Sequence, residues 1–231
     1  MTTPKLADTA EAASGQVKVW DAEVRLFHWA TVALVALSWF SVDRELMNLH
    51  RASGLALLVL LLFRIGWGFV GSTTARFSDF VTGPRRVIDY LKEMANDHRP
   101  ARPGHNPAGG WMVMVLLLGL LAQGSTGLFA NDGVHFQGPM ANLVSSEVSD
   151  RLTELHGYIF NLMLLLIWMH VVAVFFYLYV KGDNLIAPMV TGNKHRAALP
   201  SGVQIEFTRP WIAWVLLALA AGVIWRLLGA Q

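Results

Sequence analysis

The chain has 231 residues, of which 54% are hydrophobic and 15% are charged, a balance typical of an integral membrane protein. It contains no cysteine, which excludes disulfides, iron–sulfur clusters and thiolate zinc sites and leaves histidine as the main soft-metal ligand. The net charge is +2, but the basic residues lie between apolar runs, so we attribute them to membrane topology and expect no nucleic-acid partner.

Five apolar segments are long enough, or nearly so, to cross a bilayer as helices, for which about 20 residues are needed. They cover residues 26–42, 49–70, 111–130, 152–180 and 211–228. The polar leader before the first segment has no basic region followed directly by a cleavage site of small residues. We therefore expect a retained first helix and not a signal peptide. The pattern predicts an all-α integral membrane protein.

The distribution of Lys and Arg predicts the orientation, because cytoplasmic loops retain positive charge. Most of the 18 Lys and Arg residues lie in the leader and in the second and fourth connections. The N-terminus is therefore predicted to be cytoplasmic and the C-terminus periplasmic, in a bacterial inner membrane. The predicted divisions are a cytoplasmic leader (1–24), a four-helix core (25–181), a cytoplasmic loop (182–209) and a fifth helix with the C-terminus (210–231).

Four histidines lie within or at the ends of these segments. His28 is at the inner end of the first helix and His50 at the outer end of the second. His156 is at the outer end of the fourth helix, and His170 lies further inward on it. His28 and His170 are therefore predicted to lie at one depth in the membrane, and His50 and His156 at another. For the inner match, the fourth helix must project beyond the inner membrane surface.

The spacing on the fourth helix favours a shared role for the two pairs. Fourteen residues separate His156 from His170, so the imidazoles lie about 40° apart around the axis and about 21 Å apart along it. Helical bundles bind cofactors between facing helices, and one imidazole on each side of a flat macrocycle completes a six-coordinate haem iron. The pattern predicts two haem b groups stacked across the membrane.

Each of these histidines, considered alone, has alternative roles. An intramembrane histidine often forms a hydrogen bond between helices or part of a proton path. Zinc is a weaker alternative, because the two pairs lie too far apart for one tetrahedral site. A proton relay lacks the buried Asp or Glu expected of pumps.

The remaining histidines are expected to have other surroundings. His98, His135 and His195 lie in polar stretches and are interpreted as surface groups. His105 precedes Asn106 and a proline at the start of the third helix. A place near a cofactor edge or a quinone and a helix-capping role are both open to it.

One motif is misleading. The stretch "GWGFVG" at residues 66–71 matches the dinucleotide-binding pattern G-x-G-x-x-G. That pattern requires a strand before it and a helix after it, whereas here it closes a transmembrane helix. We interpret these glycines as sites of close helix packing and as a helix stop.

Several motifs together resemble the prokaryotic cytochrome b561 superfamily, and within it the branch with the b-type cytochrome subunit of nickel-iron hydrogenases. The motifs are "VWDAEVRLFHW", "LHRASGLALLVLLLFRIGWGFVGSTTARF", "GHNPAGGWMV", "TGLF", the paired histidines of the fourth helix and "KGDNLIAPMVTGNKH". The resemblance covers about residues 17–195. The fifth apolar segment departs from the pattern, because these relatives usually stop at four helices. It suits a helix that faces lipid or a second protomer of a homodimer.

The resemblance implies a four-helix core with two b-type haems, the inner ligated by His28 and His170 and the outer by His50 and His156. It also implies electron transfer between the membrane quinone pool and a periplasmic or peripheral redox protein. The alternative is a haem-containing anchor subunit of a hydrogenase or c-type cytochrome complex. A proton-coupled carrier is a third hypothesis, disfavoured because the chain lacks internal inverted repeats.

Three arginines are relevant to such a core. Arg25 and Arg51 are each close in sequence to a ligand histidine and are candidates for pairing with haem propionates. Interfacial anchoring is an equally ordinary role for both. Arg64 falls inside the second segment, where we expect its side chain to extend to the inner membrane surface.

Overall fold

The computed structural model describes residues 15–95, 102–134, 136–200 and 202–229. His98 and His135 lie outside these ranges, so their expected surface positions stay predictions. The long helices are α1 (Ala22–Asp43), α2 (Met47–Val70), α5 (Pro107–Gly127), α6 (Ser146–Tyr179) and α8 (Pro210–Gly229). The short elements are β1 (Gln16–Lys18), α3 (Phe77–Phe80), α4 (Pro84–Ala95), α7 (Ile186–Thr191), β2 (Asn193–His195) and 3₁₀ turns at Thr73–Ala75, Ala141–Leu143 and Arg196–Ala198.

The five long helices correspond to the five predicted segments. Each is long and apolar enough to cross a membrane. The predicted fold class, an all-α membrane bundle with a fifth helix, is therefore confirmed. We call the end that carries residues 15–21 and the connection from α2 to α5 the inner end, and the opposite end the outer end.

Side-chain caps fix where three of the long helices begin. The carboxylate of Asp21 accepts a hydrogen bond from the Val24 amide at 2.7 Å, and Asn106 accepts one from the Gly109 amide at 2.7 Å. Ser145 accepts one from the Val148 amide at 3.4 Å. Each bond satisfies an amide that has no partner within its own helix.

Helix α2 lies at the centre of the bundle. It packs against α1, α5 and α8, and α5 packs against α6. Leu57, Leu61, Phe63 and Trp67 of α2 are buried. The other long helices expose many apolar side chains, as expected of surfaces in contact with lipid tails.

The fifth transmembrane helix, α8, packs on α2. Its buried residues Ala213, Ala220 and Ile224 form the packed face, while Trp214 and Trp225 are exposed. This agrees with a peripheral helix whose outer face meets lipid. Contact with a second protomer stays a prediction.

The glycines of "GWGFVG" act as expected in the packing. A methyl group at Gly66 would lie 3.1 Å from Leu216 of α8, and one at Gly68 would overlap the ring of Phe77. Gly71 ends α2, where a side chain would overlap the Trp67 carbonyl. The interpretation as close packing and a helix stop is confirmed.

The inner end is covered by a layer that local sequence patterns did not predict. Strand β1 pairs antiparallel with β2, with Gln16 opposite His195, so the leader joins the connection that follows α6. Val19 and Trp20 then pack with Phe63 and Trp67 of α2 in one apolar cluster. The predicted divisions at residues 24 and 182 stay predictions, although these segments are structurally joined.

Helix α6 extends beyond the thickness of a bilayer at the inner end. Its 34 residues span about 51 Å, against about 30 Å of hydrocarbon. Near its inner end, the hydroxyl of Tyr177 lies 2.7 Å from that of Tyr90 on α4 and accepts a hydrogen bond from Asn106 at 3.1 Å. The length of α6 therefore allows the projection that matching His28 with His170 requires.

Candidate functional site

The four transmembrane histidines come together in two pairs. The ring centroids of His28 and His170 are 6.5 Å apart, with the rings tilted by 55°. Those of His50 and His156 are 6.1 Å apart, with the rings at 86°. Helix α6 supplies one histidine to each pair, and α1 and α2 supply the others.

These separations suit an ion between two imidazoles. An iron about 2 Å from one nitrogen of each ring, with that nitrogen about 1.1 Å from the ring centroid, places the centroids about 6 Å apart. Direct contact between the rings is not required, and each pair of imidazoles would hold a flat macrocycle between them. Among the described residues, no group of three or more His, Cys, Asp or Glu side chains comes together. The arrangement is one of ligand pairs.

His50 is oriented by the helix that precedes it. Its Nδ1 lies 3.0 Å from the Ser38 carbonyl oxygen and 3.0 Å from the Ser38 hydroxyl. A proton on Nδ1 donated to the carbonyl leaves the lone pair on Nε2 free to bind a metal. This is the tautomer that a haem-ligating imidazole needs.

His156 is held in a similar way by α5. Its Nδ1 lies 2.9 Å from the Gln123 carbonyl oxygen and 3.2 Å from the Thr126 hydroxyl. Its Nε2 lies 3.0 Å from the side-chain amide nitrogen of Gln123. Binding of iron at Nε2 therefore requires that amide to move aside, while the backbone contact stays in place.

In the inner pair, the His28 ring packs against an aromatic neighbour and, within the described part of the chain, lacks the backbone contact found at His50 and His156. Nδ1 of His28 is buried and has no hydrogen-bond partner among the described residues. The indole of Trp29 lies against the His28 ring at 4.9 Å and donates a hydrogen bond to the Met189 carbonyl at 3.1 Å. A buried nitrogen without a partner fits a side chain whose role is to bind another group.

Arg25 and Arg51 have different surroundings. Arg25 donates hydrogen bonds to the Val190 carbonyl at 2.5 Å and to the Asp21 carbonyl at 3.3 Å. It therefore fixes the connection after α6 to the start of α1. Arg51 is exposed, with Nη2 3.5 Å from Asn48. Their pairing with propionates stays a prediction.

Arg64 does not extend to the membrane surface, so that expectation is wrong. Its side chain is 2% exposed, because the segment that follows α2 folds over it. One guanidinium nitrogen donates to the Ala75 carbonyl at 3.1 Å, and the group lies over the ring of Phe77 at 5.2 Å. The other terminal nitrogen is buried and has no hydrogen-bond partner among the described residues.

His105 is not a helix cap, because the neighbouring Asn106 fills that role. The His105 ring lies 4.8 Å from that of Trp20 and 4.6 Å from that of Phe80, and its Nδ1 is buried without a hydrogen-bond partner among the described residues. Burial, reinforced by the positive charge of Arg64, lowers the pKa of His105 to about 3. His105 is therefore neutral at physiological pH. His195, in contrast, is exposed as predicted.

The fold and the paired histidines together define a class, namely membrane-embedded helical bundles that hold a planar metal cofactor between facing imidazoles. The chain matches the family model described as prokaryotic cytochrome b561 over residues 19–192, and it belongs to that family. No curated protein and no solved structure matches it. The match ends before α8, in agreement with the departure noted in the sequence.

Membership has direct consequences. The protein is a multi-pass membrane cytochrome that uses b-type haem for electron transfer. All four paired histidines and both buried groups, Arg64 and His105, lie within the matched residues. The family predicted from the motifs is confirmed, and the hydrogenase branch stays a prediction.

Proposed function

We propose that this protein is a dihaem cytochrome b that transfers electrons across the bacterial inner membrane. The electrons pass between the membrane quinone pool and a periplasmic or peripheral redox protein, such as a c-type cytochrome or a hydrogenase. The observation that carries the proposal is the presence of two histidine pairs, with centroid separations of 6.5 Å and 6.1 Å, at two depths of one bundle.

Both pairs take one histidine from α6, and their separation along that helix is consistent with two cofactor positions. His156 and His170 are about 21 Å apart along that helix, so two macrocycles would have a considerably shorter distance between their edges. When bound, each haem iron supplies a one-electron carrier whose potential depends on its ligands and surroundings. The protein's part is to hold the ligands and keep water out.

The region between the pairs supports that second task. Leu58 and Leu61 of α2 pack with Leu117 of α5 in an apolar cluster, and Met163 of α6 is 3% exposed. Polar groups within the membrane core are costly unless they are paired. We expect this packed apolar layer to disfavour water and ions between the two sites.

The orientation and assembly belong to the same proposal. Lys and Arg concentrate at the inner end, which supports a cytoplasmic N-terminus and a periplasmic C-terminus. The exposed face of α8, with Trp214 and Trp225, is available to lipid or to a second copy in a homodimer. The quinone and the protein partner would meet opposite ends of the haem pair.

The ligand assignment can be tested one site at a time. His170→Ala should remove the inner haem and His50→Ala the outer one, each leaving a single haem b per chain by the pyridine haemochrome assay. His195→Ala changes an exposed histidine at the end of strand β2, is the matched control and should keep both. Unchanged haem content in both ligand variants would overturn the assignment.

A further inference from the structure

The buried guanidinium of Arg64 lies in a membrane helix with one hydrogen-bonded terminal nitrogen and one without a partner. Burial of a charged group with an unused donor is costly, so such a group in a membrane span indicates a ligand. The donor is therefore available to an acceptor that the described residues do not supply.

The nearest carboxylate does not use this donor. Asp21 is 3% exposed, and its two oxygens accept from the Val24 amide at 2.7 Å and from the Trp67 indole at 3.0 Å. Asp21 offsets part of the charge of Arg64 through space, but its oxygens are directed elsewhere. Arg64 thus keeps a free N–H for a further acceptor.

His105 adds a second unused nitrogen to the same region. Its Nδ1 is buried and has no partner among the described residues, and its ring packs on Phe80, which packs on Phe77, the ring beneath the guanidinium of Arg64. Since His105 is neutral, it can donate one hydrogen bond without adding charge. Two unused donors therefore lie at the two ends of one aromatic cluster at the inner end of the bundle.

Depth along the helices agrees with this placement. The hydrogen bond from Trp67 to Asp21 sets α1 and α2 side by side at that level. His28 is about 10 Å further outward along α1, and Arg64 is about 4.5 Å further outward along antiparallel α2. Arg64 thus lies about 6 Å inward of His28, on the side where the carboxylates of a macrocycle would point towards the inner surface.

We infer that Arg64 and His105 form a carboxylate site for a propionate of the inner haem. Arg64 donates from the free guanidinium nitrogen, and His105 donates from its ring. Arg25, the candidate favoured by sequence proximity, is held instead by the Val190 and Asp21 carbonyls. The inference rests on the proposed function, since it requires haem at the inner pair.

The test is a redox titration of the purified protein combined with infrared difference spectra of haem labelled with ¹³C at its propionate carboxyls. Arg64→Gln should lower the midpoint potential of the inner haem, because loss of a nearby positive charge disfavours the reduced state. It should also shift the labelled carboxylate band. Arg64→Lys should retain most of the potential and change the band, since a lysine ammonium keeps the charge but does not reproduce the position of the guanidinium N–H. His105→Gln should change the band with a smaller effect on potential.

The controls separate failure of this inference from failure of the proposed function. Arg86→Gln removes an exposed charge at the same end and should change neither readout. The outer haem in each preparation reports whether the bundle is intact, and the inner haem is the one missing in His170→Ala. Wild-type protein without inner haem would overturn the proposed function. Two haems with an unshifted carboxylate band in Arg64→Gln, or a shift in Arg25→Gln only, would overturn the propionate site alone.

Discussion

Nδ1 of His50 lies 3.0 Å from the carbonyl oxygen of Ser38, so the end of α1 orients an imidazole on α2. The two residues are joined across the turn between the first two helices. The contact leaves Nε2 of His50 directed away from α1 and free for a metal. The backbone of α1 therefore orients the imidazole that we propose as a ligand of the outer haem.

This contact predicts that the Ser38 side chain is dispensable. Ser38→Ala removes the hydroxyl but leaves the carbonyl that accepts from Nδ1. The variant should keep the outer haem, with a loss of stability of about 1 kcal/mol or less. The haem content and the reduced absorption spectrum check this expectation. Loss of the outer haem would mean that the hydroxyl, and not the carbonyl, fixes the tautomer.

A second prediction concerns the space beside His156. A methyl group at Gly127 would lie 2.9 Å from Cε1 of that ring, closer than an ordinary contact. Gly127→Ala should displace the imidazole at a cost of about 1–3 kcal/mol, which corresponds to outer haem binding weaker by about 5- to 140-fold. The measurement is outer haem retention during purification.

Gly222→Ala provides the control for that change. Gly222 is also within a transmembrane helix, and a methyl group there meets no atom within 4 Å. Its haem content should match that of the wild type. Equal retention in the two variants would show that the His156 ring does not occupy the position assigned to it.

Asp21 should be important for stability. Its carboxylate caps α1 and accepts the indole N–H of buried Trp67. Asp21→Ala removes both bonds and leaves the indole unsatisfied, with an expected cost of about 2–4 kcal/mol. Ser145→Ala removes a longer, exposed cap of α6 and should cost about 1 kcal/mol or less. Thermal unfolding in detergent checks this order. Equal melting temperatures for the two variants would contradict it.

The buried His105 predicts a pH dependence of stability. Its pKa of about 3 in the folded chain is below the value of about 6.5 expected when unfolded. Only the unfolded state then takes up the proton, so stability is lost as the pH falls from about 6.5 towards 3. Between pH 7.5 and pH 5 the wild type should lose about 2 kcal/mol more than His105→Gln. Equal losses in the two proteins would contradict the buried, neutral state of His105.

The absence of cysteine makes the predicted orientation easy to test. Asp43 is exposed at the outer end, and Asp89 is exposed on α4 at the inner end. The variants Asp43→Cys and Asp89→Cys therefore place one reactive thiol at each end. In intact cells whose outer membrane has been made permeable, an impermeant maleimide should label position 43 and not position 89. The opposite result would reverse the topology.

The sequence was sufficient for the parts of the fold that follow local rules. Hydrophobic length identified the five helices, and the spacing of His156 and His170, combined with the charge distribution, identified which histidines would face each other. The inner layer could not be predicted, because β1 and β2 have three residues each and are stabilised by pairing between distant segments. Arg64 was misjudged for the same reason, since the residues that bury it follow α2 and fold back over it.

The central claim is that each chain binds two haem b groups between histidine pairs. Pyridine haemochrome analysis of purified protein, with the chain concentration measured independently, tests it most directly. With two histidine pairs, we expect two haem b per chain and reduced-minus-oxidised spectra typical of bis-histidine iron. One haem per chain would contradict the stacked pairs, and a colourless preparation that takes up no added haem would contradict the proposed function as a whole.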